Sequence, residues 1–177
     1  DHPGLVHYLI HAYDSVELAS QGVHAARAYS QIAASAPHAL HMPSHIFTRL
    51  GLWEDSIASN LAARRAAKEE GDVGEALHAM DYLTYAYLQL GRFSEAEAIV
   101  AEAARTTSLP AADFKFGYAV NAMPVRLAME RADWSATRAL QPRAGSTPQV
   151  AAIVHWARSV GYAREGNPKK AAYDLAQ

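Results

Sequence analysis

Apolar residues recur every three or four positions along most of the chain, with polar positions between them, and strand-like alternation is nearly absent. That periodicity predicts helices over 4–13, 15–34, 37–50, 54–70, 75–90, 94–107, 111–131, 134–140, 149–165 and 168–177. Four turns share one pattern: Gly51-Leu52-Trp53, Gly91-Arg92-Phe93, Ala132-Asp133-Trp134 and Gly166-Asn167-Pro168. A looser version is Asp14-Ser15-Val16. The steps from Asp14 to Gly51, Gly91, Ala132 and Gly166 are 37, 40, 41 and 34 residues. Self-similarity at that period implies stacked helical hairpins, here approximately 4–34, 37–70, 75–107, 111–140 and 149–177 within one domain, 1–177. In these units a first helix ends and a second follows after a turn at Gly or a small residue, and in three of them an aromatic, Trp53, Phe93 or Trp134, plugs the turn. Ser94-Glu95-Ala96-Glu97 has capping-box spacing. The polar run Arg64, Arg65, Lys68, Glu69 and Glu70 fits a solvated face on a second helix. Gln141 to Pro148 is the clearest loop.

Two prolines sharpen the register. Met42-Pro43 starts 11 residues before Trp53, and Met123-Pro124 starts 11 residues before Trp134. A proline within a helix removes a hydrogen bond and kinks the axis, whereas a proline in the first turn fits without cost. For Pro43 both readings stand, and Pro37 is a second candidate start.

Composition narrows the class. Alanine supplies 38 of 177 residues, which favours helix and close helix approach. Sixteen basic and 18 acidic residues give a formal charge of -2, which argues against a nucleic-acid or membrane-surface protein. With no cysteine, disulfides, thiol chemistry and Cys-ligated zinc are excluded. No apolar run approaches the roughly 20 residues of a membrane helix. The chain starts at Asp1 rather than Met and stops within a helical pattern, so it is read as a fragment or processed form, with the compartment left open between cytoplasm and export.

The segment Tyr87-Leu88-Gln89-Leu90-Gly91-Arg92-Phe93-Ser94-Glu95-Ala96 resembles the turn of a tetratricopeptide (TPR) repeat, as does Arg49-Leu50-Gly51-Leu52-Trp53-Glu54-Asp55-Ser56-Ile57. The blocks HPGLVHYLIHAYD and HALHMPSHIFTRLG resemble those of uncharacterised bacterial TPR-containing proteins. The resemblance implies an all-α, right-handed superhelix of stacked antiparallel hairpins. Its first helices would line a concave groove for a peptide or protein partner. A HEAT-like solenoid is the runner-up fold.

Histidine carries the candidate chemistry. Of nine, seven (His2, His7, His11, His24, His38, His41 and His45) lie within the first 45 residues. Aligned on the turn glycines, His38 matches His78, His41 matches Asp81, and His45 matches Tyr85. His38, His41 and His45 share one helix face, as do His78, Asp81 and Tyr85. In-phase stacking would bring Tyr8, His11, His38, His41, His45, His78, Asp81 and Tyr85 to one side, with Asn121 and Arg126 extending the groove. The first reading is therefore a non-catalytic module that binds a peptide or protein segment in a His/Tyr-lined groove. The alternative is a metal site of His41, His45, His78 and Asp81. His41 and His45 stand at i, i+4, imidazole suits Zn, Ni or Cu, and an open position would allow water activation and hydrolysis. A purely structural solenoid is the second alternative. His7 is expected slightly off the groove, and His24 and His155 read as isolated. Ser44 beside His45 is not expected to face it. HExxH, P-loop, GxGxxG and Gly-x-Ser-x-Gly motifs are absent from the sequence.

Overall fold

The turn at Gly51 sets the pattern for the molecule. In the computed structural model, which describes residues 2–32 and 35–177, Gly51, Gly91 and Gly166 take φ of 69°, 68° and 74°. A left-handed residue there ends one helix and reverses the chain, and glycine takes that conformation without a Cβ clash. Ala132, at the equivalent turn, takes φ of 50° without that freedom.

Every element among the described residues is helical. The elements are α1 (Pro3–Tyr13), α2 (Ala19–Ile32), α3 (Pro37–His41), α4 (Pro43–Arg49), α5 (Trp53–Glu70), α6 (Val73–Gln89), α7 (Phe93–Ala104), α8 (Phe114–Glu130), α9 (Trp134–Ala139), α10 (Pro148–Arg164) and α11 (Pro168–Leu175). The helix expected over 15–34 starts later, at Ala19, and its last two positions lie outside the described residues. Ser94 falls inside α7 rather than before it, because the helix starts at Phe93. Asp113 caps α8 by accepting from the Phe116 N–H, which delays that helix from the expected residue 111.

Pro43 combines both expected behaviours. Met42 has helical angles, φ -51° and ψ -38°, so the path continues from α3 into α4. Pro43 has no N–H, and the His45 N–H instead reaches back three residues to Met42 C=O at 3.1 Å. His38 and His41 therefore sit on a helix rather than on a loop. Pro37 occupies the first turn of α3, while Pro124 lies inside an unbroken α8.

The chain divides into two compact units, Asp1–Arg92 and Phe93–Gln177, at a point within the expected third hairpin. In the first unit α2 packs on α1, α3 and α4, and α5 packs on α3, α4 and α6; α1 also meets α4, and α3 meets α6. Ile10, Ala26, Tyr29, Ala39, Met42, Ile46 and Phe47 form its buried cluster. Gly22 lets α2 close on α4, since a Cβ there would stand 2.8 Å from Ile46 Cδ1. In the second unit α8 packs on α7, α9 and α10, and α10 packs on α9 and α11. Val125, Val154 and Ala157 form its cluster. No helix among the described residues is long and apolar enough to cross a membrane.

Candidate metal centre

The clustered histidines are carried by α1, α3, α4 and α6, all in the first unit. Each presents a ring pair, or half of one, at one-turn spacing: His7 and His11, His41 and His45, His78 and Tyr82. The ring chain runs His11–His7–His38–His41–His78, with centroid separations of 4.7, 5.3, 6.0 and 4.2 Å. His45 lies 5.0 Å from His41 and 5.8 Å from His11. One donor nitrogen from each of His41, His45 and His78 falls within 4.8 Å of the others, so these three could hold one ion.

The outer nitrogens fix the tautomers. His41 Nδ1–H donates to Asn60 Oδ1 at 2.7 Å. The Asn60 amide is oriented by its own Nδ2, which donates to Ser56 C=O at 2.8 Å, so its oxygen must face His41. His45 Nδ1–H donates to Asp14 Oδ2 at 2.9 Å, and Arg49 Nε donates to the other oxygen, Oδ1, at 2.7 Å. Carboxylate and amide oxygens only accept, so both Nδ1 atoms carry the protons. In the neutral rings both Nε2 atoms are then bare, and they face each other at 3.1 Å. Outer acceptors that aim bare imidazole nitrogens at one point are the usual second layer of a metal site.

Burial keeps these rings neutral. It holds His41, only 1% exposed, well below the ordinary imidazole value, and the nearby His78 and His45 add to the effect. Burial also lowers His45, against the upward pull of Asp14, and lowers His78, against that of Glu75. Asp14 is pushed up by burial, but Arg49 and His45 outweigh this and hold it below its usual value. An extra proton between His41 and His45 is thus disfavoured, and both lone pairs stay open to an electron-pair acceptor.

The expected groove residues divide. His11, His38, His41, His45 and His78 come together. Tyr8 is on the same helix as His11 but is 72% exposed, with its ring edge toward His7. Asp81 is buried on α6 and does not join the three donor nitrogens that gather. Tyr85 turns to Trp53, ring edge to face at 5.6 Å, and Tyr82 takes the place beside His41 and His45. The reason is register: His41 stands against His78 rather than Asp81, three positions from the turn-to-turn alignment. Asn121 and Arg126 lie in the second unit. Asn121 is a buried clamp for the loop before α10: its Nδ2 donates to Ser146 Oγ at 3.0 Å, and its Oδ1 accepts from the Arg143 N–H at 2.9 Å. Arg126 donates to Tyr118 Oη at 3.3 Å.

His7, expected slightly off the groove, sits within the ring chain with its Nδ1 3.4 Å from Tyr29 Oη. Its i, i+4 relation to His11 is the same signal that marks His41 and His45. Asn60 and Glu75 gave no such signal, because their value depends on which helix packs opposite them. Ser44 turns to His41, with Oγ 3.4 Å from Nδ1, and not to the adjacent His45. His2 caps α1 by accepting from the Gly4 N–H at 3.1 Å. His155 is not isolated, since its Nδ1 lies 3.2 Å from Asp174, which also pairs with Arg158. Compared with protein-family models, curated proteins and solved structures, the chain matches none.

Proposed function

We propose that this chain binds a first-row transition-metal ion through the Nε2 atoms of His41 and His45 together with the His78 imidazole. The supporting observation is the pair of bare, buried Nε2 atoms 3.1 Å apart, each ring braced from behind by Asn60 or Asp14. Three neutral imidazoles suit Zn, Cu or Ni, and they leave a fourth position of a tetrahedral ion for water or another ligand. Asp81 is not needed as a ligand in this reading. A TPR-like solenoid is the fold proposal that accompanies it, supported by the repeat period and by left-handed turns at Gly51, Gly91, Ala132 and Gly166. The test is elemental analysis of protein purified without a histidine tag, together with melting in the presence of Zn²⁺, Ni²⁺ or Cu²⁺. Near-stoichiometric metal and a raised Tm are expected. Metal-free protein whose Tm ignores all three ions would overturn the reading.

A second reading, capture of a peptide or protein segment, draws on a different observation. Leu5, Tyr8 and Leu9 lie exposed at one-turn spacing on α1. Peptide-display selection against the chain should then enrich binders that an L5S/Y8S variant fails to hold. Equal retention by that variant, or no enrichment, contradicts this surface.

A further inference from the structure

We propose that a second metal ion binds between His7 and His11, so that the histidine cluster forms a two-ion centre. The inference rests on the single-ion reading above and extends it to residues outside the first triad. Its starting point is a repeated geometry. His7 Nε2 and His11 Nε2 stand 3.1 Å apart on α1, the same separation and the same i, i+4 spacing as His41 and His45. Two Nε2 atoms meeting head-on can share one proton or chelate one cation, and a helix offers them to an ion at this spacing.

The His38 ring centroid is 5.3 Å from that of His7 and 6.0 Å from that of His41, so it stands between the two pairs and bridges them. Its Nδ1–H donates to Glu75 Oε2 at 3.2 Å. His7 is steadied from behind by Tyr29 Oη, which lies at 3.4 Å from its Nδ1. Tyr29 is itself buried in the core cluster, so the ring is referenced to a rigid part of the unit. The two pairs are linked sideways as well, because His11 and His45 stand edge to face at 5.8 Å. With no thiol in the chain, the ligand set is purely imidazole and suits Cu²⁺, Zn²⁺ or Ni²⁺.

The two positions differ in access. His41 is buried, whereas His11 is exposed. The outer ion should therefore exchange faster and be removed first by a chelator.

The experiment counts ions. The tag-free chain, stripped with chelator and reloaded with Zn²⁺ or Cu²⁺ at neutral pH, is desalted and its metal-to-protein ratio measured. The wild type should carry two ions per chain and the H7A/H11A variant one, with unchanged helical circular dichroism. H11A alone, a change at an exposed position, is the second variant and should show the same loss. One ion per chain in wild type and variants alike would overturn the second site and leave the first intact. Two ions in every variant would also overturn it, by placing the second ion elsewhere. No ion in any of them would end the single-ion reading as well.

Discussion

Asp14 shows how much of the candidate site is decided by one side chain. It ends α1, and its two oxygens are divided between His45 and Arg49 of α4. The carboxylate thus ties two helices together and points a ring nitrogen at the proposed ion. Asp14→Asn keeps an acceptor but loses the charge, and removing such an outer partner typically costs 10–100-fold in metal affinity. Titration calorimetry with Zn²⁺ should show a loss of about that size, whereas unchanged affinity would detach Asp14 from the site. The lowered His7, His41, His45 and His78 also make a statement about the metal-free fold. Above their ordinary value of 6.5 these rings are neutral whether the chain is folded or not, and their environment costs nothing in protonation. Below it the unfolded chain takes up protons that the folded chain resists, so stability falls as pH drops. Metal-free protein should melt lower at acidic than at neutral pH, by roughly 2–4 °C for each kcal/mol lost. An equal or higher Tm in acid would contradict the neutral, buried rings.

At the level of the elements, the turns test the reading of the repeats. Ala132 holds the left-handed conformation that glycine holds at the matching turns. Relief of the Cβ clash outweighs the added freedom of the unfolded chain, so Ala132→Gly should stabilise by about 0.5–1 kcal/mol. Urea unfolding measures this, and a loss of stability would mean that the turn is held differently. Gly117 is the opposite case. A Cβ there would stand 2.2 Å from the Ala111 carbonyl oxygen, which is backbone and moves little. Gly117→Ala should therefore cost about 1–3 kcal/mol. The helices themselves were legible from periodicity, because each buries one face and caps or breaks with recognisable residues. The level at which neighbouring helices meet was not. Aligning Gly51 with Gly91 pairs His41 with Asp81 and His45 with Tyr85, yet the packed helices pair them with His78 and Tyr82. Axial offset comes from how side chains interlock between helices, and turn spacing carries no information about it. The same limit hid Asn60 and Glu75, which act across helix interfaces.

In the whole molecule, all the proposed ligands belong to one of the two compact units, Asp1–Arg92, and His41 and His45 flank the Met42–Pro43 break between α3 and α4. A ligand that binds only the folded form adds about 2.7 kcal/mol at 100 times its Kd. Hydrogen exchange should accordingly slow in α1, α3, α4 and α6 when Zn²⁺ is added, since those elements carry the imidazoles. Slowing confined to α8 and α10 would place the ion elsewhere. The most direct measurement is diffraction from crystals grown with Zn²⁺, with data collected on both sides of the zinc absorption edge. An anomalous peak about 2.0–2.1 Å from the Nε2 atoms of His41 and His45, and within reach of His78, is the expected result. A chain saturated with zinc that shows no peak among these three rings would contradict it.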